Sequence, residues 1–77
     1  MFVLDQPTPK QPGFYIWKAK FSGRLDLIEV YYIEPRFEYG CKWDGYLAYG
    51  GSGNSVTKLQ GTFSKRLELK DDVLAEV

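Results

Sequence analysis

The sequence predicts an all-β domain, a four- to five-stranded antiparallel meander that stays an open sheet or curls into a small SH3-like barrel. Three observations carry this expectation. Residues 13–21, GFYIWKAKF, alternate between two faces as a half-buried strand does. Residues 25–34, LDLIEVYYIE, are dense in β-branched and aromatic side chains, which favour extended backbone. Turn residues then recur at roughly even intervals, and the short connections between them suit antiparallel neighbours. The chain has 77 residues, enough for one domain with a thin core. Its 44% apolar and 17% aromatic content is that of a folded chain rather than a disordered one.

Each element follows from local chemistry. Residues 1–12 hold Pro7, Pro9 and Pro12, which block helix and ladder alike and predict an extended arm. Phe2, Val3 and Leu4 in that arm are apolar enough to dock on a core. The first strand puts Tyr15, Trp17, Ala19 and Phe21 on one face, and Phe14, Ile16, Lys18 and Lys20 on the other. Ser22, Gly23 and Arg24 make a turn into the second strand, completing a hairpin. In that strand Ile28, Val30 and Tyr32 share a face. Leu25, Leu27, Tyr31 and Ile33 share the other, interrupted by Glu29. Either both faces are partly covered, or a bulge near Leu27 shifts the register. Pro35 ends the strand, and residues 36–42, RFEYGCK, read as a connection bending at Gly40. Residues 43–49 are expected as a third strand and 56–63 as a fourth, with Gly61 marking a bulge or bend. Residues 13–70 form the domain. Leu67 and Leu69 alternate like a short edge strand, and residues 71–77 form a tail or a short helical turn.

The chemistry available is narrow. The chain has no histidine, which removes the commonest general base, Ser-His-Asp and Cys-His arrangements, and most zinc and iron sites. Cys41 is alone, so no intrachain disulfide or cysteine metal site can form, and an intracellular, cytoplasmic location is expected. No apolar run approaches the ~20 residues of a membrane-spanning helix. The run AYGGSGNSV, residues 48–56, has glycines at the spacing of a phosphate loop when read from Gly45. It lacks the lysine that meets the phosphates and leads into strand-like VTKLQGTF rather than a helix, so it reads as a turn. Asp71 and Asp72 lack the alternating oxygen ligands of a calcium loop. No cofactor, metal or catalytic residue is expected, and the chain reads as a non-enzyme.

What remains is an excess of rings: five Phe, six Tyr and two Trp. Tyr and Trp are favoured at binding hot spots, which makes a protein partner the leading expectation. The candidate partner-binding residues are Phe14, Trp17, Lys18, Lys20, Trp43 and Tyr46. Because 14–21 interleaves rings with lysines, single-stranded nucleic acid is the alternative partner, although ten cationic and ten anionic side chains leave no net positive charge. A self-associating assembly protein, a homo-oligomer, is the third reading, since an open sheet must hide a face.

The run Pro12-Gly13-Phe14-Tyr15-x-Trp17-Lys18, followed by a Gly turn and Leu27-Ile28-Glu29-Val30-Tyr31, resembles the start of small uncharacterised bacteriophage and prophage accessory proteins. Those often read Pro-Gly-Tyr-Tyr-Trp, a turn, then Trp-Glu-x-Val-Glu. The resemblance covers roughly the first half of the chain, which departs from the pattern after Tyr39. It implies a non-enzymatic accessory protein, such as an inhibitor, binding a macromolecule in the bacterial host cytoplasm.

Overall fold

The structure, a computed structural model, describes residues 3–76, the side chain of Ser52 excepted. Strand β1 (Gly13–Ala19) turns at residues 20–24 into β2 (Leu25–Ile33), and the two pair antiparallel. Their register runs unbroken from Gly13 opposite Val30 to Lys18 opposite Leu25. No bulge forms near Leu27; the leucines of the second face of β2 are instead left open at Leu25 and Leu27. Strands β3 (Arg36–Glu38) and β4 (Cys41–Trp43) form a separate two-stranded hairpin. The chain then rejoins the main sheet as β5 (Tyr46–Tyr49), antiparallel to β2.

A 3-10 turn at Gly50–Ser52 leads to β6 (Asn54–Ser55), which pairs back on β5. AYGGSGNSV is therefore a reversal. A second 3-10 turn, Val56–Lys58, precedes β7 (Gly61–Phe63), β8 (Leu67–Lys70) and β9 (Val73–Glu76). Among the described residues the main sheet has seven strands in the order β6-β5-β2-β1-β8-β9, with β7 on the same side of β1 as β8. It is open, not a barrel: β6 and β9 lie at opposite ends of that order.

Several expectations change. The connection 36–42 is largely a hairpin. The expected third strand, 43–49, is divided between two sheets at Asp44–Gly45. The expected fourth strand, 56–63, is a 3-10 turn and then three residues of strand, because the Ser55 hydroxyl accepts from the Thr57 amide at 3.3 Å and curls the chain. The C-terminal segment is not a helical turn. Asp71 and Asp72 both take positive φ, 49° and 61°, and reverse the chain so that β9 pairs with β8. This is the geometry of a two-residue hairpin turn, which aspartate tolerates.

Most of the core lies on one face, with Ala48 and Leu67 buried on the other. Register puts Tyr15, Trp17, Ile28, Val30, Leu47, Tyr49 and Phe63 on the same side of the sheet. Val56 and Leu59, from the second 3-10 turn and the residue after it, pack over them. Burying a ring such as Phe63 contributes about 1.5–3 kcal/mol. The Tyr15 hydroxyl donates to the Gln11 carbonyl at 2.7 Å; burial pushes its pKa up, and the Arg66 guanidinium partly offsets this. The N-terminal arm is held by Gln6, which exchanges two backbone hydrogen bonds with Phe63, and by the burial of Pro9. Leu4 is half-buried, Val3 is exposed, and Phe2 lies outside the described residues.

Two details join β7 and β8 to β1. At Gly61, φ is +144° and a β-carbon would collide with the Lys18 carbonyl oxygen, so only glycine allows the backbones this close. At the break between β7 and β8, Ser64 is buried. Its amide donates to the Ile16 carbonyl at 2.9 Å, and its hydroxyl accepts from the Ile16 amide at 3.0 Å. That hydroxyl stands in for a ladder carbonyl, and it donates in turn to Lys65 O at 2.9 Å.

Ser64→Ala should leave the Ile16 amide unpaired and cost about 1–3 kcal/mol, lowering the Tm by roughly 5–20 °C in a domain this small. Thermal denaturation checks it. Gly61→Ala should destabilise by more than about 4 kcal/mol. Gly51→Ala should shift the Tm by less than Gly53→Ala does. Gly53, like Gly50, needs positive φ, whereas Gly51 does not and has open space where a methyl would go. The glycines that matter to this turn are therefore 50 and 53, not 51.

Candidate partner-binding surface

The β3–β4 hairpin is the most exposed aromatic feature of the fold. Its two strands are joined by Tyr39 and Gly40, with φ of 51° and 75°, the signs that a tight two-residue hairpin turn requires. Glycine takes that conformation freely. A tyrosine there costs about 1–2 kcal/mol, since its β-carbon crowds the following carbonyl. Asparagine is the residue that usually relieves the strain at this position. Tyr39 is also 99% exposed, so its ring gains no contact within the chain that would offset the cost.

Around the tip, cross-strand pairing sets the side chains. Arg36 lies opposite Trp43, and its guanidinium sits 5.7 Å from the indole centroid, a cation–π contact. The Arg36 Nε also reaches Glu38 at 3.6 Å; both groups are half-exposed, so this ion pair orients more than it stabilises. Phe37, opposite Lys42, projects to the other side of the hairpin and is 72% exposed. Trp43 and Tyr46 line a groove of about 380 Å³ between this hairpin and the β5–β6 reversal, with Ile33, Asp44 and Lys58 also on its walls. The Tyr46 hydroxyl donates to the Gly53 carbonyl at 2.7 Å and so ties β5 to the far end of that reversal.

The six residues expected to bind a partner do not form one surface. Trp43 and Tyr46 share the groove. Trp17 is half-buried against the core, its Nε1 donating to the Gln60 carbonyl at 3.2 Å. Phe14 and Lys18 lie on the opposite face of the sheet. Lys20 follows β1, its ammonium 5.5 Å from the Phe21 ring. The interleaved rings and lysines of 14–21 are thus split across the sheet, Tyr15 and Trp17 inward and Lys18 outward, rather than set side by side for base stacking. Sequence reasoning missed Arg36, Phe37 and Tyr39. A signal was present: Tyr39-Gly40 sits between two three-residue runs of alternating character, but the dipeptide lacks the usual Asn-Gly form.

Among the described residues no group of three His, Cys, Asp or Glu side chains could hold a metal ion. Cys41 is exposed at the hairpin. No helix of the described residues is long and apolar enough to cross a membrane. No protein-family model, curated protein or solved structure matches this chain.

Tyr39→Asn should raise stability by up to about 1 kcal/mol, because asparagine accepts positive φ more readily. A denaturant midpoint shifted upward, with an unchanged slope, is the expected result.

Proposed function

We propose that this chain is a non-enzymatic protein-binding module whose contact surface is the β3–β4 hairpin and the groove at its base. The observation that carries this reading is Tyr39, a large ring held fully exposed at positive φ with no intrachain contact to offset its strain. Backbone strain of this kind persists where function requires it. Phe37, Trp43 and Arg36 surround it and add the residue types that dominate binding hot spots. The two-residue turn holds the rings on a short rigid ribbon, which lowers the ordering cost of association. The absence of histidine and the mixed charge of the groove walls support recognition rather than catalysis. The likeness of residues 12–31 to phage accessory proteins supports bacterial macromolecules as the partners to screen.

Affinity capture from a bacterial lysate with wild type, Tyr39→Asn and Trp43→Ala checks this. A protein retained by wild type should be lost from both variants, although Tyr39→Asn folds at least as stably. Retention of the same proteins by Tyr39→Asn would overturn the reading.

A further inference from the structure

Most of the core occupies one face of the main sheet; on the other face Ala48 and Leu67 are buried, but Leu25 and Leu27 are covered by no segment among the described residues. Phe14 and Ile16 of β1, Leu25 and Leu27 of β2, and Leu69 of β8 share this outer face. Leu25 and Leu27 are 56% and 55% exposed, on the half of β2 that pairs with β1 alone, since β5 flanks only Val30–Ile33. An antiparallel sheet with one face on the core normally shows polar side chains on the other. Here the second face shows leucines.

We propose that this face binds a second copy of the chain, two sheets packing face to face about a two-fold axis. Two observations favour a second copy as occupant. The first is area. The molecule measures 47 × 33 × 18 Å and exposes 5771 Å², whereas a compact monomer of 8.9 kDa exposes about 4800 Å². The excess is close to the roughly 800 Å² that each partner buries in a stable interface of standard size.

The second observation is charge. The cross-strand pair Ile16–Leu27 lies between the pair Lys18–Leu25 on one side and Phe14–Glu29 on the other. Lys18 and Glu29 therefore sit at diagonally opposite corners of the apolar strip. Neither has an ion-pair partner among the described residues. A two-fold axis lying in the interface over Ile16 and Leu27, across the strands, turns the strip end for end and brings each Lys18 over Phe14 of the second copy, one strand spacing from that copy's Glu29 and within reach of its carboxylate. The contact is made twice, as an isologous interface requires. Packed sheets keep their strands within about 30° of each other, which keeps Lys18 beside that Glu29.

Sedimentation equilibrium across micromolar to submillimolar concentration tests the proposal. Wild type should reach twice the monomer mass. Lys18→Glu and Glu29→Lys should each weaken association at least about tenfold, because like charges then face each other. The double reversal, Lys18→Glu with Glu29→Lys, should restore it to near the wild-type value. Both sites of change are exposed side chains, and circular dichroism of each variant should match wild type. Tyr39→Asn should stay dimeric, which separates this face from the hairpin. A wild-type monomer throughout the range would overturn the proposal and leave the face to an unlike partner. Failure of the double reversal to restore association would overturn the two-fold arrangement.

Discussion

Strand β1 must satisfy its backbone groups along one side against two different partners, and the Ser64–Ile16 pair is how it does so. Phe63 pairs with Trp17, and Leu67 pairs with Phe14. Three residues lie between Phe63 and Leu67, where a continuous antiparallel ladder would place two of them opposite Tyr15 and Ile16. The extra length leaves Ile16 without a backbone acceptor, and the Ser64 hydroxyl supplies one. With that bond in place the strand continues past the break, β8 stays beside β1, and the β8–β9 hairpin joins the sheet. Among the described residues no buried side-chain nitrogen or oxygen lacks a partner. A break inside a sheet is tolerable only under that condition.

The same side of β1 bears on why most of the core lies on one face. Gly61 brings β7 close to Lys18, and ahead of it the chain forms the 3-10 turn that carries Val56. Val56 and the following Leu59 then roof the face bearing Tyr15, Val30 and Phe63. Among the described residues no comparable segment returns over Leu25 and Leu27. A chain of 77 residues that uses its one crossover to cover one face has little left for the other.

The parts of the fold that were legible in the sequence are those where alternation and turn chemistry agree. Residues 13–21 alternate strictly, residues 25–33 are dense in β-branched and aromatic side chains, and the chain turns at Ser22-Gly23; β1 and β2 form where expected. Gly61 was legible as a special position, expected as a bulge or bend, whereas it serves the close approach of β7 to Lys18. The β3–β4 hairpin was hidden because Tyr39 occupies a position where asparagine or glycine normally announces a turn. Strand β9 was hidden because Asp71-Asp72 before an apolar run looks like a helix start, while the aspartates instead take positive φ. The 3-10 turn at Val56 was hidden because valine and threonine favour strands, and the Ser55 hydroxyl overrides that preference. For the candidate surface, Trp43 and Tyr46 were legible by residue type alone. That Trp17 faces the core and Lys18 does not was legible from period, but which face carries the core depends on Val56, 39 positions later in the chain.

The Gln6–Phe63 bridge has a consequence for the order in which the chain assembles. The β1–β2, β3–β4 and β8–β9 hairpins join residues close in sequence, so their loops close early and at little entropic cost. The Ile16–Ser64 bond spans 48 positions, and Gln6 reaches still farther to Phe63. Contacts of such separation form late. Until they form, β1 carries an unpaired edge next to exposed Tyr15 and Trp17, and β7 has no partner on either side. Unpaired edges of this kind recruit other chains. The arm therefore closes the fold, and for this protein the interval before it docks is when aggregation competes with folding.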